Sequence, residues 1–158
     1  MKIATKFQTN VPLPEVWKVI FNPENIGKTI PGCESVEMVD EVTFLSRVTV
    51  KVAYLKARFK LISKIVEQQP PFRIVTYTTG EGIGLVSNVS QTTALELTSL
   101  SDSSTEVAID SELNVTGTLA NLGARIMRAK IEGMVDEWSQ SMKSLIESDS
   151  QNQEKDSA

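Results

Sequence analysis

Between residues 119 and 147 the apolar residues recur at three- and four-residue steps for several turns, and this stripe limits what the chain can become. Leu119, Leu122, Ile126, Ile131, Met134, Val135, Trp138, Met142, Leu145 and Ile146 fall on one face, as an amphipathic helix requires. At 1.5 Å per residue such a helix is about 44 Å long. A stripe of that length must be covered, and the rest of the chain, which reads mostly as strands, is the only material available. The expected class is therefore α+β, with a curved antiparallel seven-stranded sheet gripping one long helix. Where the two surfaces diverge, a hollow is left.

The strands follow from alternation. Residues 3–8 form a first strand, closed by Pro12 and Pro14, which open a short helix carrying Val16, Trp17, Ile20 and Phe21 on one face. Asn22-Pro23 stops it and starts a further turn through Ile26. Two short helices after the first strand would seal one end of the sheet. Residues 36–38 and 44–52 read as a strand pair turning at Asp40-Glu41. In residues 55–66, Ala57, Phe59, Leu61, Ser63 and Ile65 share one face, and Lys56, Arg58, Lys60 and Lys64 the other. Such alternation places one face in the core and one in water. A strand over 72–79 follows the Pro70-Pro71 turn. The strands 88–97 and 105–115 flank a polar turn; centring it on Asp102 sets Leu97 against Val107, Leu95 against Ile109 and Thr93 against Ser111. Gly117 ends the last strand, and Thr116 or Thr118 is placed to cap the long helix.

With 158 residues the chain is expected to form one domain over 1–147, followed by a small polar tail over 148–158 expected to be disordered. One cysteine, Cys33, excludes a disulfide framework, and the absence of histidine excludes histidine-based acid–base catalysis and imidazole zinc sites. No cofactor or metal is expected. A net charge of -4 argues against nucleic acid as the main partner. The first residues carry no signal-peptide pattern, and no apolar run is long enough to span a bilayer, so the expected location is cytoplasmic, with the inner membrane face as an alternative peripheral site.

Several groups are candidates for function. Gly80-Glu81-Gly82-Ile83-Gly84 lacks the third glycine and the following helix of a dinucleotide site. It reads instead as a flexible connection, with Gly82 in a lip over the cavity mouth. Gln91, Thr93, Ser111 and Ser63 face inward, where an unpartnered polar group costs about 1–3 kcal/mol. Either Thr93 and Ser111 bond each other across strands, or the group lines a partly wet pocket and positions the polar end of an apolar ligand. Met127, Met134 and Trp138 on the helix, with Phe21, Ile26 and Phe59 opposite, are plain core or the walls of that pocket. Cys33 reads as an inert buried thiol. Arg47, Lys51, Lys56, Arg58, Lys60 and Lys64 form an outer basic face, partnered in part by Glu34, Glu37 or Glu67. Arg125, Arg128 and Lys130 crowd the start of the helix, against its dipole, where an anionic membrane or an acidic partner is an open alternative to plain solvent.

The order strand, two small helices, six strands and long helix resembles the helix-grip fold of the START and Bet v 1-like proteins, the SRPBCC superfamily. Within it, Val11-Pro12-Leu13-Pro14-Glu15-Val16-Trp17, Asn22-Pro23, Ile30-Pro31-Gly32-Cys33-Glu34, Gly80 to Gly84 and Gly117-Thr118-Leu119-Ala120-Asn121-Leu122-Gly123-Ala124-Arg125 are similar to the CoxG group, the G subunits of carbon monoxide dehydrogenase. The resemblance implies a hydrophobic cavity without catalytic residues. It also implies an accessory role beside a molybdenum hydroxylase of the xanthine oxidase type, in maturation, membrane contact or supply of quinone. The expected activity is thus non-catalytic binding of a lipid-like or quinone-like molecule. The short polar tail favours transient over constitutive membrane contact. The alternatives are a polyketide cyclase or dehydratase on the same fold, and a co-chaperone or adaptor acting through the basic sheet face.

Overall fold

The computed structural model describes residues 1–157, except for the side chains of Pro23 and of 152–157. Seven strands form one antiparallel sheet: β1 (Lys2–Thr9), β2 (Cys33–Met38), β3 (Thr43–Val52), β4 (Leu55–Gln69), β5 (Arg73–Gly82), β6 (Ser87–Ser101) and β7 (Ser104–Gly117). Their order in the sheet is β1-β7-β6-β5-β4-β3-β2. Consecutive strands pair from β2 to β7, so each hairpin needs only a local turn; β1 joins last, along the free edge of β7. The chain crosses from one edge to the other through α1 (Leu13–Ile20) and α2 (Pro23–Thr29). The helix-grip architecture expected from the sequence is the one observed.

Local chemistry explains these elements. Pro12 and Pro14 preset the helical φ at the start of α1, whose Leu13, Val16, Val19 and Ile20 are buried. Asn22 caps α2 by accepting a hydrogen bond from the Glu24 amide at 3.0 Å. The fully buried Thr105 hydroxyl donates to the Val11 carbonyl at 2.7 Å, fixing the β1–α1 connection to β7. Register shifts between Cys33 and Ser35, Ile65 and Glu67, and Ser99 and Ser101 are the irregularities through which the sheet bends. Gly32, at φ 77°, brings its backbone against β3, where an added Cβ would stand 2.1 Å from the Thr49 carbonyl oxygen. No other residue type fits there.

The long helix begins later than its apolar stripe. Leu119 and Leu122 belong to a separate approach in which a 3-10 turn (Ala120–Leu122) precedes Gly123 at φ 101°, and α3 runs over Ala124–Ser157. Among the described residues neither Thr116 nor Thr118 caps the helix: Thr116 stays inside β7, and the Thr118 hydroxyl bonds the Val86 carbonyl at 3.2 Å and holds the β7 exit against the β5–β6 connection. Ile126 is 43% exposed, while Met127, one position on, is 6% exposed and takes the inward place.

The polar segment from Ser148, expected to be disordered, instead continues α3 through Ser157. The cause is docking: Glu147 accepts from the Thr9 hydroxyl at 3.1 Å and Ser150 donates to the Glu15 carboxylate at 3.2 Å. Of that segment only residue 158 lies outside the described residues.

Two apolar clusters hold helix and sheet together. One joins α1, the second half of α3 and β5–β7 through Val16, Ile20, Ile74, Leu97, Val107, Met142 and Ile146. The other joins the start of α3 to the opposite end of the sheet through Val52, Ala57, Phe59, Leu119 and Met127. Between the two clusters the helix and the sheet part.

Candidate functional site

A cavity of about 360 Å³ occupies this gap, a volume suited to a small ligand. Its floor is the concave face of β3–β7 and its roof is α3, with Phe21, Ile26, Ile30 and Pro31 from the helical crossover at one side. Trp17 stacks on Phe21 at a centroid distance of 5.4 Å and fixes that wall. Phe7 packs obliquely on Trp138 at 6.4 Å, holding the indole against β1. The walls are mostly Ile, Val, Leu, Met and aromatic side chains.

Across the floor runs a belt of small polar groups: Ser46, Ser63, Thr76, Thr78, Gln91, Thr93 and Ser111. The period-2 geometry of strands aligns them. Ser63 pairs with Thr78 and Thr78 with Gln91, while Thr76 pairs with Thr93 and Thr93 with Ser111. The belt lies between residues of the two clusters, since β6 runs Val89, Gln91, Thr93, Leu95 and β4 runs Leu61, Ser63, Ile65 along the same face. Part of it satisfies itself. Ser63 and Thr78 hydroxyls are 2.7 Å apart, Gln91 Nε2 donates to Ser111 Oγ at 2.7 Å, and Thr93 Oγ1 lies 3.0 Å from that same oxygen. The Ser46 and Thr76 hydroxyls make no protein hydrogen bond among the described residues, which leaves them for water or ligand.

Ten of the residues singled out from the sequence meet at this cavity: Phe21, Ile26, Phe59, Ser63, Gln91, Thr93, Ser111, Met127, Met134 and Trp138. Gly82 does not. It stays in the β5 ladder opposite Phe59, and an added Cβ would lie 2.3 Å from the Leu85 carbonyl oxygen, so the following turn folds over it. Gly80 is likewise in the ladder, leaving only 83–86 as a connection. Thr76, Thr78 and Ser46 join the lining without having stood out in the sequence. The alternation of Ile74, Thr76 and Thr78 along β5 is the signal that could have found the first two.

Lys130 is also inside this site rather than on a basic surface. It is half-buried and is, among the described residues, the single charged one of the lining. Its spacing, three after Met127 and four before Met134, places it on the inward stripe. The outer basic face is where alternation placed it, and in the β3–β4 register Arg47 opposes Lys60 and Lys51 opposes Lys56. Arg58 pairs with Glu34 at 3.4 Å, whereas Glu67 pairs with Arg73 at 3.2 Å and Glu37 has no partner among the described residues. Glu96, Asp110 and Glu112 are exposed, and Glu106 is also outside the lining. Burial pushes the Cys33 thiol above its ordinary value, and the neighbouring Glu34 charge adds to that. Among the described residues no cluster of carboxylates and thiol could hold a metal ion, and no helix is long and apolar enough to cross a membrane.

The fold is similar to that of a conserved protein from Geobacillus kaustophilus, at a TM-score of 0.85 and 20% identity, over 94% of this chain and 96% of that one. It is similar to a START superfamily protein from Mycobacterium smegmatis, at 0.72 and 10% identity, over 93% and 97% of the two chains. An aromatase/cyclase from a Streptomyces species matches at 0.70 and 12% identity, over 93% of each. No curated protein matches the sequence. The family model of CoxG, the G subunit of carbon monoxide dehydrogenase, matches residues 6–147. The fold is thus a helix-grip similar to that of the START protein, and the chain belongs to the CoxG family.

Proposed function

We propose that the protein binds a lipid-like or quinone-like molecule in the cavity and carries it without altering it chemically. The observation behind this reading is an apolar hollow that the side chains of two well-packed clusters leave open. Protein interiors close such gaps, because an unfilled cavity forfeits stability in proportion to its volume. A retained hollow with a hydroxyl belt suits a molecule with an apolar body and a polar group. The family name motivates an accessory role for a carbon monoxide dehydrogenase-type molybdenum hydroxylase, in its maturation, membrane contact or quinone supply.

Catalysis on this fold would require acid–base groups at the ligand. Among the described residues the lining offers no carboxylate and a single ammonium, which supports carriage over a cyclase reaction. Titration with a short-chain quinone and with a lysophospholipid, read through the emission of Trp138 in the cavity wall, tests the binding. Saturable change at stoichiometric ligand is expected. A flat response to both would overturn the reading and turn attention to the outer basic face as an adaptor surface.

A further inference from the structure

We propose that Lys130 recognises an anionic head on the bound molecule, so that the preferred ligand is a long-chain monocarboxylate. This rests on the cavity-binding reading and specifies its ligand. Among the described residues Lys130 is the only charged one lining the cavity, and its ammonium has neither an ion pair nor a hydrogen bond. Arg128, by contrast, pairs with Glu132 at 3.0 Å and donates to the Lys2 carbonyl at 3.3 Å.

The helix sets the direction in which Lys130 points. Arg128 reaches Lys2 on β1, and two residues later the side chain has turned about 200° around the axis. Lys130 therefore faces away from β1, toward the flank where α3 meets α2 and β3. Met127 and Met134, one turn before and one turn after, are apolar and line the same cavity. A half-buried ammonium between two methionines has lost part of its hydration and gained no counter-charge from the protein. A carboxylate would supply that charge through a short charge-assisted hydrogen bond. One ammonium matches one monoanion, and the apolar chain then follows the cavity wall inward.

The test uses the full chain titrated with dodecanoate and with dodecanol, read by tryptophan emission, in wild type, Lys130→Met and Lys130→Arg. Methionine keeps the length and the apolar character of the lysine stem. Lys130→Met is expected to weaken dodecanoate about tenfold, to change dodecanol less than about twofold, and Lys130→Arg to retain dodecanoate binding. Equal effects of Lys130→Met on both ligands, or no effect on either, would overturn the assignment while leaving the cavity reading intact. Failure of both amphiphiles to bind the wild type would overturn the cavity reading and this inference with it.

Discussion

Gln91 Nε2 donates to Ser111 Oγ at 2.7 Å across β6 and β7, and Thr93 Oγ1 shares the same oxygen at 3.0 Å. One serine, 4% exposed, thus satisfies two neighbours on the cavity floor. Ser111→Ala leaves both without that partner, and the expected loss is about 1–3 kcal/mol in urea denaturation. Replacing all three by apolar residues of similar shape, Gln91→Leu with Thr93→Val and Ser111→Ala, is expected to recover much of that loss, because no donor is then stranded. Unchanged stability in the single variant would show that water substitutes freely at this position.

Cavity and core should respond differently to changes of volume. Thr93→Phe places a ring in the hollow and is expected to weaken apolar ligands by about tenfold or more, with the protein still folded. Ile146, fully buried in the α1-side cluster and away from the cavity lining, gives the opposite signature. Ile146→Ala is expected to cost about 2–5 kcal/mol of stability while the affinity of the folded protein changes little. Paired denaturation and titration curves check both; equal affinity in wild type and Thr93→Phe would place the ligand elsewhere.

The Cys33 thiol is held above its ordinary value of 9.0, first by burial and then by the Glu34 carboxylate beside it. Raising this pKa favours the neutral thiol, so near pH 8 the reactive thiolate is scarcer than in a free cysteine. Labelling with a disulfide reagent should therefore be slower than for free cysteine at pH 8 and accelerate as the pH rises past 9. Labelling faster than free cysteine at pH 8 would contradict the burial effect.

The sheet was legible because its period is two. A polar turn centred on Asp102 determined the β6–β7 pairing, and the register Leu97–Val107, Leu95–Ile109 and Thr93–Ser111 is the one observed. A slip of one residue would have turned every apolar side chain outward. The cavity walls were legible for the same reason, since inward positions follow from alternation. What escaped was set by contacts distant in sequence. Thr118 holds the Val86 carbonyl instead of capping a helix, and the Leu85 backbone covers Gly82. The helix continued past Ser148 because Glu15 and Thr9 lie beside it after folding. Lys130 was legible by spacing, yet its charge suggested a surface, and only the parting of α3 from the sheet shows that an inward position can hold an ammonium.

The central claim is that the hollow between α3 and the sheet holds a hydrophobic molecule, and native mass spectrometry of gently purified protein tests it most directly. The account predicts a stoichiometric adduct that organic extraction releases and that Thr93→Phe protein lacks. Protein that flies at its bare mass, and gains no mass when incubated with quinones, lipids or fatty acids, would contradict it.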